Sequence, residues 1–172
     1  MGAQLDVQSE DLLADRAPAI TRLGGRYVLT SRTVLRCPQQ DVFAFLTDAS
    51  NLDLITPSWL KFRILTPMPV EMHCGAVFDY ALRLHGFPVR WRTEITEWSS
   101  PHVFADTQRR GPYRQWRHRH SLTALGPQTT AVEDEVLYRV PGGALTHRLW
   151  VRRDLLRLYR HEQRRMHELL ES

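Results

Sequence analysis

Lysine is nearly missing from this chain. Lys61 is its one lysine, so the 23 basic side chains that outnumber 19 acidic ones and give a net charge of +4 are otherwise all arginine. They are spread along the chain, which favours anionic partners in general without forming a nucleic-acid-binding block, and no nucleic acid is expected as a partner. Cysteine is as scarce. Cys37 and Cys74 are too few for a disulfide framework and are not spaced as metal ligands, so both read as reduced structural thiols. No stretch approaches the roughly 20 apolar residues of a membrane span. The opening MGAQLDVQSEDLLADRAP lacks a basic segment followed by an apolar one, so a cytoplasmic protein without a secretory signal is the expectation. A nucleophile motif, a Gly-rich phosphate loop, a Cys-His zinc pattern and a nucleic-acid-binding motif are also missing, which removes many enzyme classes.

What is present fits one globular domain: 172 residues, 42% hydrophobic and 24% charged. Residues 1–25 carry a short helical pattern over Ser9 to Leu13, then Pro18 and Gly24-Gly25, and read as an extension outside a main domain of residues 26–172. Arg26 to Arg36 is β-branched and alternating, a strand ended by Cys37-Pro38. In QQDVFAFLTDASNLDLI, Val42, Phe43, Phe45 and Leu46 fall on one helical face, and a second short helix follows near Asn51 to Ile55. Strand-like runs then recur at Leu60 to Thr66, Ala76 to Leu84, Phe87 to Trp98, Val103 to Gln108, Tyr113 to Leu125 and Thr129 to Val140, separated by Gly, Pro and Ser. From about Leu145 to Leu170, apolar residues at three and four residue spacing predict a helix of about 25 residues, about 38 Å long, with a basic opposite side. Helix and sheet each need a partner for one face. The expected fold is therefore α+β, a curved antiparallel sheet of about seven strands wrapped around its last helix.

The stretch FADTQRRGPYRQWRHRHSL, Phe104 to Leu122, carries the chemistry. Side chains alternate along a strand, so Arg114, Trp116, His118, His120 and Leu122 share one face, and Phe104, Asp106 and Gln108 meet it across the turn in a simple hairpin register. On the final strand Val132, Asp134, Val136 and Tyr138 share a face in the same way. Buried polar groups need partners, so this combination suits a pocket better than a dry core.

The chain resembles the START-like superfamily (SRPBCC, the helix-grip fold) of polyketide cyclases and aromatases, lipid-transfer proteins and plant hormone-binding or allergen proteins. The resemblance rests on VFAFLTDASNLDLITPSWLKFRI, YALRLHGFPVRWRTEITEW, FADTQRRGPYRQWRHRHSL, EDEVLYRVPGG and VRRDLLRLYR, and covers residues 26–170. It implies a deep, mostly apolar cavity between sheet and last helix, with no obligatory cofactor.

On these grounds the chain is expected to bind an apolar or aromatic small molecule, lipid-like or polyketide-like. Trp116, Trp91, Phe78, Tyr80, Gln108, Arg114 and Tyr138 are the expected contact residues. The alternative is a cofactor-independent cyclase, aromatase or dehydratase in which His118, His120, Asp106 and Asp134 move protons. A third reading is an interaction module using the basic face of the last helix, with weak peripheral membrane contact. The two histidines at i and i+2 could hold a metal only with a third ligand such as Asp106 or Asp134, and neither metal nor cofactor is expected. The protein is expected as a monomer or homodimer.

Overall fold

A computed structural model of the chain describes residues 12–171. The first hairpin joins β1 (Arg16–Leu23) to β2 (Arg26–Leu35) through Gly24 and Gly25. Their φ values of +51° and +80° suit the left-handed backbone of a two-residue hairpin turn, which a Cβ would strain. Residues 16–23, read from sequence as lying outside the main fold, are thus an edge strand of the sheet. Pro18 hid this, because proline demotes a strand reading, yet an edge strand tolerates it. The helical pattern over Ser9 to Leu13 lies largely outside the described residues.

After β2 come helix α1 (Gln39–Thr47), a short 3₁₀ turn (Ala49–Asn51), helix α2 (Leu52–Ile55) and a second 3₁₀ turn (Ser58–Leu60). Asp48 begins the first turn by accepting from the Ser50 N–H at 2.9 Å. Val42, Phe43 and Leu46 bury the inner face of α1. Strand β3 is only Arg63–Ile64, shorter than the run Leu60 to Thr66 predicts. β4 (Val77–Leu84), β5 (Phe87–Ser99), β6 (Val103–Arg110), β7 (Gln115–Gly126) and β8 (Thr129–Arg139) follow as a meander. The last helix starts as α3 (Gly143–Thr146), passes through wider π turns at His147–Val151 and continues as α4 (Arg152–Leu170).

All eight strands form one open antiparallel sheet in the order β1-β2-β8-β7-β6-β5-β4-β3, one strand more than expected. Pairing β2 with β8 brings the start of the sheet against its end, so the last helix emerges beside β1 and β2. Gln163 on α4 donates to the carbonyls of Arg16 at 3.0 Å and Arg32 at 2.9 Å, which fixes the helix there.

Strand spacing of about 4.8 Å makes an eight-strand sheet about 34 Å wide. A helix with its side chains is only about 10–12 Å across. One helix cannot cover that face. Near β2 and β8 the face is closed by Leu29, Val136, Tyr138, Leu155 and Tyr159. Toward α1 it is closed by Leu35, Val132, Leu122 and Met166. Between these clusters and β4, β5 and β6 the molecule is hollow.

Candidate functional site

The hollow is a cavity of about 670 Å³. Phe78, Tyr80, Leu82, Trp91 and Ile95 from β4 and β5 form one wall, and Leu155, Leu158 and Tyr159 from α4 form another. The aromatic wall is continuous: Tyr80 stacks on Trp91 at 5.7 Å, and Trp91 meets Trp116 edge-on at 5.3 Å. At the rim, His85 at the β4–β5 tip reaches Asp154 on α4 at 2.7 Å, and Arg157 lies 3.9 Å over the Trp59 ring.

The register of the β6–β7–β8 hairpins builds a polar floor. Asp106 pairs with His118 and Phe104 with His120, while His120 pairs with Asp134 and Trp116 with Tyr138. This is the simple register expected from the sequence. Asp106, His118 and His120 line the cavity, and Asp134 lies behind the two imidazoles, 7% exposed. Asp134 accepts from the Ser31 hydroxyl at 2.9 Å and from His118 Nε2 at 3.1 Å. His120 Nδ1 is 2.8 Å from the same Asp134 oxygen, but out of line for a hydrogen bond. Asp106 accepts from the Thr93 hydroxyl at 2.7 Å, and its other oxygen is 3.9 Å from His118 Nδ1. One oxygen or nitrogen atom from each of Asp106, His118 and His120 lies within 4.8 Å of the others.

Burial and charge set the ionisation of this floor. Burial alone would raise the Asp134 carboxyl, but the hydrogen bond from His118 and the close imidazoles of both His118 and His120 hold it well below the usual carboxylate range. Burial opposes the charge on His118, yet Asp134, Asp106 and Glu162 together raise its pKa. Burial, with the neighbouring His118 charge, lowers that of His120. Glu162 on α4 faces the cavity rather than open solvent, and this desolvation pushes its carboxyl up to about 8, His118 pulling down and Asp134 pushing further up. No hydrogen bond of its side chain is found among the described residues. Burial holds the Tyr80, Tyr113 and Tyr159 phenols above their ordinary range.

The expected contact residues divide. Trp116, Trp91, Phe78 and Tyr80 line the cavity; Gln108, Arg114 and Tyr138 do not. Gln108 instead clamps the β6–β7 turn, donating to the Tyr113 carbonyl at 2.7 Å and accepting from its N–H at 3.3 Å. A Cβ on Gly111 would come within 2.3 Å of that amide oxygen, so a larger residue there would displace the clamp. Arg114 precedes β7 and is exposed in a separate shallow depression near Arg22 and Arg139. Tyr138 is fully buried and bonds His147 Nε2 at 2.9 Å, tying β8 to the start of the last helix. Phe45 packs with the α1 cluster.

Tyr113, Tyr159 and Glu162 also line the cavity and were not among the expected site residues. Tyr113 sits in the turn, where alternation had put it on the outer face. Glu162 had a readable signal: Leu155, Tyr159, Glu162 and Met166 follow i, i+4, i+7, i+11 spacing, so one acid interrupts the apolar stripe of α4. On the outer face of the sheet, Arg92 pairs with Asp79, Arg109 with Glu94, and Arg117 and Arg119 with Glu97. Four of the arginines are therefore held in surface ion pairs. Cys37 is buried, which raises its thiol pKa, and Cys74 is exposed; both are free. No helix among the described residues is long and apolar enough to cross a membrane.

No curated protein matches the chain. Among solved structures, the Zhui aromatase/cyclase of Streptomyces sp. R1128 superposes with a TM-score of 0.68 at 14% identity, covering 85% of this chain and 94% of that one. Protein Ms6760 of Mycobacterium smegmatis gives 0.65 at 13% identity over 92% and 98%. A START superfamily protein of the same organism gives 0.58 at 13% identity over 84% and 97%. At such identities the likeness is one of fold, the START-like helix grip. A family model described as "Polyketide cyclase / dehydrase and lipid transport" matches residues 35–155, a span that holds α1, the β4–β5 wall of the cavity and the floor residues Asp106, His118, His120 and Asp134, and the chain belongs to that family.

Proposed function

We propose that this protein binds one apolar or aromatic small molecule, lipid-like or polyketide-like, with its body against the aromatic wall and an oxygen-bearing end on the polar floor. The observation that carries this reading is the cavity of about 670 Å³, apolar on its walls and polar at one end. Its size falls within the roughly 300–1,000 Å³ of small-molecule sites. Native mass spectrometry for a co-purifying compound, followed by displacement of a fluorescent apolar probe, tests it. A protein that takes up no apolar probe, or takes it up equally well when Leu82→Trp narrows the chamber, sinks it.

A second reading is favoured by Glu162, a carboxyl without a hydrogen-bond partner among the described residues that faces the same space. In it the cavity folds a reactive substrate and catalyses a cyclisation or dehydration. Glu162 donates a proton, and the floor residues His118, His120, Asp106 and Asp134 position and relay it. Turnover lost in Glu162→Gln while binding persists supports catalysis. Binding without turnover of any cyclisable or dehydratable candidate leaves the carrier reading alone.

A further inference from the structure

The polar floor gathers more acid than base. Asp106, Asp134 and Glu162 surround His118 and His120, and among the described residues the ion pairs of these five are only with one another. The side chains are held in a way that leaves one ligating atom on each of three residues free or only weakly held. Asp106 spends one oxygen on Thr93 and keeps the other toward His118. His118 gives Nε2 to Asp134 at 3.1 Å, and its Nδ1 has only a long contact to the Tyr159 hydroxyl at 3.4 Å. His120 sets Nδ1 against the same carboxylate, leaving its second ring nitrogen. Metal-ligating imidazoles characteristically have such a carboxylate behind them, which fixes ring orientation and tautomer.

We infer that Asp106, His118 and His120 form a mononuclear site for a first-row divalent cation such as Zn²⁺ or Fe²⁺, with Asp134 orienting both imidazoles and the open coordination positions facing the cavity. Two imidazoles and one carboxylate with vacant positions are a donor set suited to such ions. Ligand bonds of about 2.0–2.2 Å place adjacent ligand atoms about 3–3.5 Å apart; one ligand atom from each of the three residues already lies within 4.8 Å of the others, so the three draw in by roughly an ångström to close on the ion. Of the two third ligands that the sequence offered, Asp106 and Asp134, the β6–β7 register brings Asp106 beside His118 on the cavity side. The inference rests on reading the cavity as a ligand site and deepens it: the ion takes an oxygen atom of the bound molecule.

The test uses the full chain, stripped by chelator and titrated with Co²⁺ under visible spectroscopy and with Zn²⁺ by calorimetry. One ion per chain is expected, with proton release on binding. Affinity falls more than tenfold in Asp106→Asn and in His120→Gln, and by about 10–100-fold in Asp134→Asn. His167→Gln, outside the cavity, leaves it unchanged. No cobalt band and no zinc heat, or an unchanged affinity in both Asp106→Asn and His120→Gln, overturns the site. If those variants do not fold, Cu²⁺ electron paramagnetic resonance of the unaltered protein decides: coupling to two imidazole nitrogens supports the site, and coupling to none or one overturns it. Uptake of the fluorescent apolar probe by the metal-free protein separates the two readings. Probe uptake without ion binding removes the ion alone; ion binding without probe uptake in either state removes the cavity reading.

Discussion

The two halves of the sheet do opposite things with the same kind of residue. Beside β2 and β8, apolar strand side chains meet the last helix and close into a core containing Leu29, Val136 and Leu155. On β4 and β5, equally apolar and aromatic side chains such as Phe78, Tyr80, Leu82 and Trp91 line a cavity, and the edge of this wall, at Trp91, joins the cluster of Leu155 and Tyr159. The difference lies in what stands opposite. A single helix seated on β1 and β2 by Gln163 is too narrow to reach the far strands, so the same strand pattern is core on one side and binding surface on the other.

That contrast can be broken most directly by truncation. Leu35→Ala, in the packed half and fully buried, is expected to lose about 2–5 kcal/mol in chemical denaturation, because it opens a new void. Leu82→Ala, on the cavity wall, is expected to lose about 1 kcal/mol or less, since it only widens an existing one. Similar losses at both positions would mean that the hollow half is packed in solution.

The next largest effect separates the halves by binding. Trp116→Ala is expected to weaken uptake of an apolar probe at least tenfold, about 1.4 kcal/mol. Tyr138→Phe, which removes the hydroxyl bonded to His147 behind the wall, should change stability rather than probe affinity. Fluorescence titration beside thermal unfolding checks both.

Proton linkage sharpens the comparison within the cavity. Glu162 has a folded pKa raised to about 8, so its protonated form favours folding. Its contribution is fully present below the unfolded value of about 4.3 and is lost as pH rises toward 8. Glu162→Gln should therefore unfold at a higher temperature than the unaltered protein at alkaline pH, with the gap narrowing on acidification. A gap independent of pH would contradict the desolvated carboxyl.

The smallest effect belongs to the surface. His167 bridges Asp15 at 2.9 Å and Glu171 at 3.1 Å; burial opposes its charge, but these partners raise its pKa overall. The stabilisation is present below the unfolded pKa of about 6.5 and is lost as pH rises through the folded one. His167→Gln should lose under about 1 kcal/mol at acidic pH and almost nothing at alkaline pH, because a part-exposed pair is screened.

Much of this was legible locally. The alternation of Trp116, His118, His120 and Leu122, and of Val132, Asp134, Val136 and Tyr138, read the inner faces of β7 and β8 directly, and the hairpin register followed from it. Less was legible where a residue left its element. Tyr113 and Arg114 lie in a turn before β7, so strand alternation misplaced both. Gln108 stays on its strand but spends its amide on that turn. β1 was missed because a proline on an edge strand resembles a proline outside any strand.

The order of the elements from β2 onward, the faces of the long strands and the stripe of the last helix were written in the chain, because periods of two and 3.6 residues are set by neighbouring positions. Only the tertiary structure decided that Asp134 stands behind the histidines while Asp106 stands before them, that Glu162 arrives from the helix, and that half the sheet is left uncovered. Those outcomes depend on distances between segments far apart in the chain, and on the mismatch between the width of a sheet and the girth of one helix, which no local pattern records.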